Sequence, residues 1–127
     1  MITKEMLLSI GKNKNLANKG HIEKSYYQDL FLFNLFKKTN KLVFKGGTSL
    51  YKLYGLPRFS EDLDFSLLED LDFNSVKKLV EEIIKNKDYF KIKSAKKTKN
   101  SFLIKIECKG ILTGYNSLRV DINFKNI

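Results

Sequence analysis

Residues 42–66 read LVFKGGTSLYKLYGLPRFSEDLDFS, and this run decides the fold. Lys41 to Lys45, KLVFK, is short, apolar and suited to a strand. Gly46 and Gly47 end it. Thr48 to Tyr54 then reads as a short helix, with Gly55 and Pro57 as breakers. From Leu63 to Leu68, Leu63, Phe65 and Leu67 alternate with Asp64, Ser66 and Leu68, the period of a second strand.

Outward from this run, helices lie before it and mostly strands after it. Thr3 can cap a first helix to about Ile10, closed by Gly11, and the polar stretch from Lys12 to Gly20 connects it to the next. A second helix runs from Ile22 to Lys38. Ile22, Tyr26, Leu30, Phe33 and Phe36 share one face, which Tyr27, Phe31, Leu32 and Leu35 broaden. Aromatics at helical spacing read as core before they read as a base-stacking platform. Asp72 or Asn74 caps a third helix to about Lys87, with Val76, Leu79, Val80, Ile83 and Ile84 as its stripe.

Tyr89 to Ala95, Ser101 to Cys108 and Leu118 to Phe124 read as strands, the first two joined by the polar turn from Lys96 to Asn100. In the last strand Leu118, Val120, Ile122 and Phe124 face one way, and Arg119, Asp121 and Asn123 the other. The order predicts an α+β fold with an α/β-like segment: a mixed sheet with helices packed against it, N-terminal helices preceding the sheet.

Composition narrows the class. The 127 residues are one domain's worth, and 43% hydrophobic residues suffice for one core. Lys and Arg number 24 against 14 acidic residues, a net charge of +10 that favours an anionic partner, though a merely Lys-rich soluble surface reads equally well. Cys108 is the single cysteine, so no intrachain disulfide is expected. Residues 1–10 have no apolar core of a signal peptide. Tyr26 to Phe36 is interrupted by Gln28, Asp29 and Asn34, so no membrane span is expected and a cytoplasmic protein is the default.

Two pieces of the central run carry chemistry. Gly46-Gly47-Thr48-Ser49 turns a strand end into a helix start, where a phosphate can approach the backbone and meet free N–H groups. It lacks the spacing of a Walker A loop, and a plain turn reads it too. Asp62 and Asp64, at i and i+2, project from one face of the strand. Two carboxylates so close favour a cation between them, and Mg²⁺ prefers such oxygen ligands. A solvated acidic loop is the plainer reading. Asp121, polar between Val120 and Ile122, supplies a third carboxylate if its strand lies beside the first pair, an arrangement suited to two-metal phosphoryl or nucleotidyl transfer.

The run Leu42 to Ser66 closely resembles the AbiEii/MenT-type nucleotidyltransferase toxins of the DNA polymerase β-like superfamily, and Ile22 to Leu30 is similar to the helix before that motif. The resemblance covers roughly Ile22 to Phe124. It implies that Gly47 and Thr48, with Gly46 beside them, hold the triphosphate of an incoming NTP. Asp62 and Asp64 would be the paired metal ligands for Mg²⁺ or Mn²⁺. Asp121 would be the third ligand and would take the proton of the attacking hydroxyl. Arg58 and Ser60 match an R-x-S that contacts phosphate, while Lys45 and Lys52 read as anion support or as solvated lysines.

The resemblance further implies a cytoplasmic toxin of a toxin–antitoxin or phage-defence system. Such a toxin transfers a nucleotidyl group from an NTP to RNA, in some members to tRNA ends, with a cognate antitoxin protein as partner. Family members continue into a helical region with an acidic-x-x-x-Lys motif that helps bind nucleotide. The expectation for residues 1–127 is a single catalytic domain without that region, with helices over 1–40 and the catalytic sheet core over 41–127. An inactive domain of the same fold, acting as a basic RNA- or partner-binding module, is the alternative.

Overall fold

Three short polar side chains start three of the helices. Thr3 Oγ1 accepts from the Met6 N–H at 3.1 Å, Asn18 Oδ1 from His21 at 3.0 Å and Asp72 Oδ1 from Ser75 at 2.7 Å, each satisfying a donor that the helix itself leaves open. The structure is a computed structural model that describes residues 2–55 and 59–125. Its elements are α1 (Lys4–Asn13), α2 (Lys19–Lys38), β1 (Leu42–Lys45), α3 (Gly46–Tyr54), β2 (Asp62–Leu67), α4 (Phe73–Ile84), β3 (Phe90–Lys97), β4 (Ser101–Lys109) and β5 (Tyr115–Asn123).

The strands form one sheet in the order β1-β2-β5-β4-β3. β2 and β5 run parallel, and every other neighbouring pair is antiparallel. This is the mixed α+β architecture that the element order implies. Leu63, Phe65 and Leu67 of β2 are buried with Leu118, Val120 and Ile122 of β5 and Phe102, Ile104 and Ile106 of β4. Tyr27, Phe31 and Leu35 of α2 and Val76, Val80 and Ile83 of α4 join them in one core. The alternate residues, including Asp62, Asp64, Arg119 and Asp121, lie on the other face of the sheet.

Several local expectations change. Gly11 does not end α1; it lies inside the helix, and a Cβ there would stand 2.6 Å from the Ile22 side chain. The glycine permits α1 and α2 to pack closely. The buried stripe of α2 is Tyr27, Phe31 and Leu35, whereas Phe33 and Phe36 are exposed. α3 begins at Gly46, so both glycines belong to its first turn. β3 reaches Lys97 because the register shifts by one residue between Ile92 and Ser94. The extra residue is Lys93, a bulge that no hydrophobic alternation announces.

A buried acid ties α2 to the loop before β5. The fully buried Glu23 accepts from the backbone N–H groups of Ile111 and Leu112, from the Thr113 hydroxyl at 2.7 Å and from the Asn116 amide at 3.1 Å. Burial alone would raise its pKa; the Thr113 hydroxyl, then the two N–H groups and Asn116, outweigh it and hold the carboxyl below the ordinary glutamate value. Tyr27 adds a bond from its hydroxyl to the Lys109 carbonyl at 2.6 Å. Among the described residues no helix is long and apolar enough to cross a membrane.

Candidate active site

The parallel pairing of β2 with β5 puts Asp64 opposite Asp121, and Asp62 opposite Arg119. On the other flank, antiparallel β1 sets Lys45 opposite Asp64. Since side chains alternate, all five project from the face that α2 and α4 leave open. Burial raises the Asp64 pKa above the ordinary aspartate value, and the carboxylates of Asp121 and then Asp62 raise it further. Lys45 and Arg119 pull it the other way, less strongly. Asp64 is therefore the strained charge of the group, a carboxylate that a cation would relieve.

The glycine turn meets this carboxylate directly. Gly46 has φ +81°, the left-handed region that favours glycine, and a Cβ there would lie 2.6 Å from Asp64 Oδ2. A Cβ on Gly47 would lie 3.3 Å from Ser60 Oγ. No side chain caps the N-terminus of α3, so its first N–H groups are left without a partner from the helix, at a turn that lies against Asp64. Backbone donors next to a carboxylate pair suit an anion that arrives with its own cations.

Thr48 and Ser60 turn out to serve each other. Thr48 is fully buried, and its hydroxyl donates to the Asp62 carbonyl and accepts from the Ser60 hydroxyl, the two side-chain oxygens lying 2.7 Å apart. The Thr48 side chain thus fixes the start of β2 against α3. Gln28 of α2 holds the same segment from behind, its amide donating to the carbonyls of Ser60 at 3.1 Å and Glu61 at 3.0 Å. Phe59 stacks on His21 with ring centres 4.6 Å apart and meets the Tyr51 ring edge-on. Arg58 lies outside the described residues.

Sequence reasoning passed over Gln28 and Glu23, two polar residues within the apolar pattern of α2, and that mismatch was the available signal. It left Lys52 undecided between anion support and solvent. Lys52 is mostly buried and paired with Asp29 at 2.7 Å, with Lys14 on the same carboxylate at 2.8 Å. Burial lowers its pKa, and the bond to Asp29 opposes that shift. Lys52 therefore clasps α3 to α2.

The donor set suits a hard divalent cation. All three acids offer oxygen, Asp62 and Asp64 share a face, and Asp121 stands in register with Asp64. Among the described residues, however, no three His, Cys, Asp or Glu side chains are gathered into a ready metal cage. The arrangement is a facing pair with a flanking carboxylate.

A mixed sheet with one open face, an acidic pair on parallel neighbours and a glycine turn leading into a helix is the architecture of the nucleotidyltransferase fold. Residues 29–127 match the family of the AbiEii nucleotidyl transferase toxin of type IV toxin–antitoxin systems, and the chain belongs to that family. Three solved structures share the fold. A Helicobacter pylori protein described as a nucleotidyltransferase is 24% identical with a TM-score of 0.59, covering 87% of this chain and 48% of its own. JHP933 from Helicobacter pylori is 24% identical with a TM-score of 0.58, covering 84% and 45%. MenT4, a nucleotidyltransferase toxin from Mycobacterium tuberculosis H37Rv, is 23% identical with a TM-score of 0.59, covering 97% and 44%. The chain thus spans less than half the length of these relatives. A search of curated proteins found no match.

Proposed function

We propose that this chain carries the catalytic sheet of a toxin that transfers a nucleoside monophosphate from an NTP to an RNA hydroxyl, with a tRNA end as the acceptor type. The observation that carries the reading is the pairing of Asp64 with Asp121 across parallel strands, two residues from Asp62 and against the Gly46 turn. Asp62, Asp64 and Asp121 would hold Mg²⁺ or Mn²⁺, which when bound neutralises the triphosphate and lowers the pKa of an attacking hydroxyl.

The chain's own residues supply the rest. Gly46 and Gly47 keep the turn free of side chains, so the triphosphate reaches the N–H groups at the start of α3. Ser60 stands beside that turn, and Arg58, by its match to the family's R-x-S, would be a phosphate contact. Thr48 fixes the turn and the Asp62 backbone to each other, which keeps donors and carboxylates at a set separation. Asp121 takes the proton of the acceptor hydroxyl. The hydroxyl oxygen bonds to the α-phosphorus, the bond from that phosphorus to the bridging oxygen breaks, and pyrophosphate leaves. The toxin acts in the cytoplasm, where NTP and RNA meet, and a cognate antitoxin restrains it.

The test is incubation with each α-labelled NTP and total RNA, with Mg²⁺ or with a chelator. Label in RNA with one or more NTPs, only when the metal is present, supports the reading. The rival is a binding module on an inactive nucleotidyltransferase fold. The net charge of +10 suits an RNA surface on either reading, and RNA bound without NTP consumption would establish the rival.

A further inference from the structure

The open face of the sheet is divided by charge. Its β1–β2 side carries the glycine turn and the Asp64 carboxylate. Its other side is a groove of about 390 Å³ lined by Lys24, Lys96, Lys105 and Arg119, with Ser94 and Ser117. Asp62 is the one carboxylate in that lining, and Leu103 and Ile104 are its apolar parts.

The register explains how three of these cations meet there, and α2 brings the fourth. Asp62 is opposite Arg119, Arg119 opposite Lys105 and Lys105 opposite Ser94, one row across β2, β5, β4 and β3. The next row runs Asp64, Asp121, Leu103 and Lys96. Lys96 reaches this face only because of the bulge at Lys93. Before it, Ile92 pairs with core-facing Ile106; after it, Ser94 pairs with outward Lys105. Without the extra residue, Ser94 and Lys96 would share the inward side of Ile92. Lys24 arrives from α2, held beside Glu61 at 3.8 Å. Among the described residues, none of the ion pairs engages Lys96, Lys105 or Arg119, and all three are exposed.

Unpaired cations in two adjacent rows of a polar sheet face attract a chain of phosphates. The groove lies across the carboxylates from the glycine turn, so one anion could occupy each side with the acids between them. From β5 to β3 it spans two interstrand spacings, about 10 Å, broader than a single phosphate group needs. Leu103, between Asp121 and Lys96, gives a sugar or base an apolar surface in the same row.

We propose that Lys24, Lys96, Lys105 and Arg119 bind the phosphodiester backbone of the acceptor RNA and lead its end to Asp121, while the NTP takes the glycine side. The assignment rests on the transfer reading given above, but RNA binding tests it without any transfer. The probe is a fluorescein-labelled RNA hairpin with a single-stranded 3′ tail, titrated with the 127-residue chain without NTP at several salt concentrations. NTP affinity is measured separately by calorimetry with Mg²⁺.

The double variant Lys96→Glu/Lys105→Glu is compared with Lys12→Glu/Lys78→Glu, which makes the same change in net charge on α1 and α4. The groove variant should lose RNA affinity by about 10- to 100-fold and flatten the salt dependence by roughly two charges. It should keep wild-type NTP affinity within about twofold, and the control should lose less than about threefold in RNA affinity. The melting temperatures of both variants confirm that they fold, and Lys105→Gln with Lys96→Gln repeats the test with neutral side chains. Equal RNA losses in the two charge-reversal variants would overturn the assignment, since binding would then follow net charge alone. Loss of NTP affinity with RNA binding intact would overturn it too, giving the groove to the triphosphate. A groove-dependent RNA affinity in a chain that never consumes NTP would uphold the groove and refute the transfer reading.

Discussion

Replacing Asp64 by Asn should make the metal-free protein more stable while ending the proposed transfer. Asp64 and Asp121 stand opposite on neighbouring strands, about 4.8 Å apart along the hydrogen-bonding direction. Two unit charges at roughly 5 Å repel by about 3 kcal/mol at an effective dielectric constant near 20. Both acids are partly exposed, and solvent screening reduces the gain from removing one charge to about 1 kcal/mol. For a chain of this size that is a rise of about 3–6 °C in melting temperature.

The sign depends on pH. The Asp64 pKa is raised in the folded protein, so its charge weakens the fold once pH climbs through that raised value. Below the ordinary aspartate pKa the acid is neutral, folded or unfolded, and the advantage of Asp64→Asn disappears. Scanning calorimetry in a chelator, at neutral pH and at about pH 2.5, measures both limits. Mg²⁺ should then raise the melting temperature of the wild type and leave the variant unchanged. A variant less stable than wild type at neutral pH in the chelator, or a difference that does not change with pH, would refute the reasoning.

Other outcomes follow from the same geometry. Gly46→Ala puts a Cβ against Asp64 Oδ2 at a residue with φ +81°; it should cost about 1–3 kcal/mol and abolish NTP binding, whereas Gly47→Ala meets only the movable Ser60 hydroxyl and should cost less than about 1 kcal/mol. Calorimetry and NTP titration check both. Thr48→Val removes the hydroxyl that joins α3 to Ser60 and the Asp62 carbonyl, so denaturant unfolding should show a loss of about 1–2 kcal/mol, and turnover should fall further than stability does. Glu23→Gln should destabilise by about 2–4 kcal/mol because it turns amide hydrogens toward N–H donors. Since the Glu23 pKa is lowered, the wild type's advantage over that variant is full above the ordinary glutamate value and is lost as pH falls through the lowered one, which unfolding across the acidic range measures.

The parts of the fold set by alternation were legible from residues alone. Leu118, Val120 and Ile122 are buried, with Asp121 on the opposite face, because period two permits only that division. The turn from β1 into a helix was legible, but its first residue was not: Gly46-Gly47 reads as a break before Thr48, yet positive φ at Gly46 lets the helix begin directly after β1, where Asp64 leaves no room for a Cβ. Gly11 misled in the same way, because its small size serves the packing of Ile22. Phe33 and Phe36 fit a helical stripe, but tertiary packing chose the stripe through Tyr27, Phe31 and Leu35. The bulge at Lys93 is a property of strand pairing, so no local pattern reveals that Lys96 shares a face with Arg119. Of the candidate site, the residue types and the spacing of Asp62 and Asp64 were readable. The neighbour of Asp64 was a guess until the parallel pairing of β2 with β5 was known.

The most direct measurement follows the two ends of one triphosphate. NTP labelled at the α-phosphorus is compared with NTP labelled at the γ-phosphorus, in the presence of RNA and Mg²⁺, with wild type and Asp64→Asn side by side. Nucleotidyl transfer places the α label in RNA and the γ label in pyrophosphate, in equal amounts, with wild type alone. Label from the γ-position in RNA, release of inorganic phosphate without labelled RNA, or equal turnover by Asp64→Asn would contradict it.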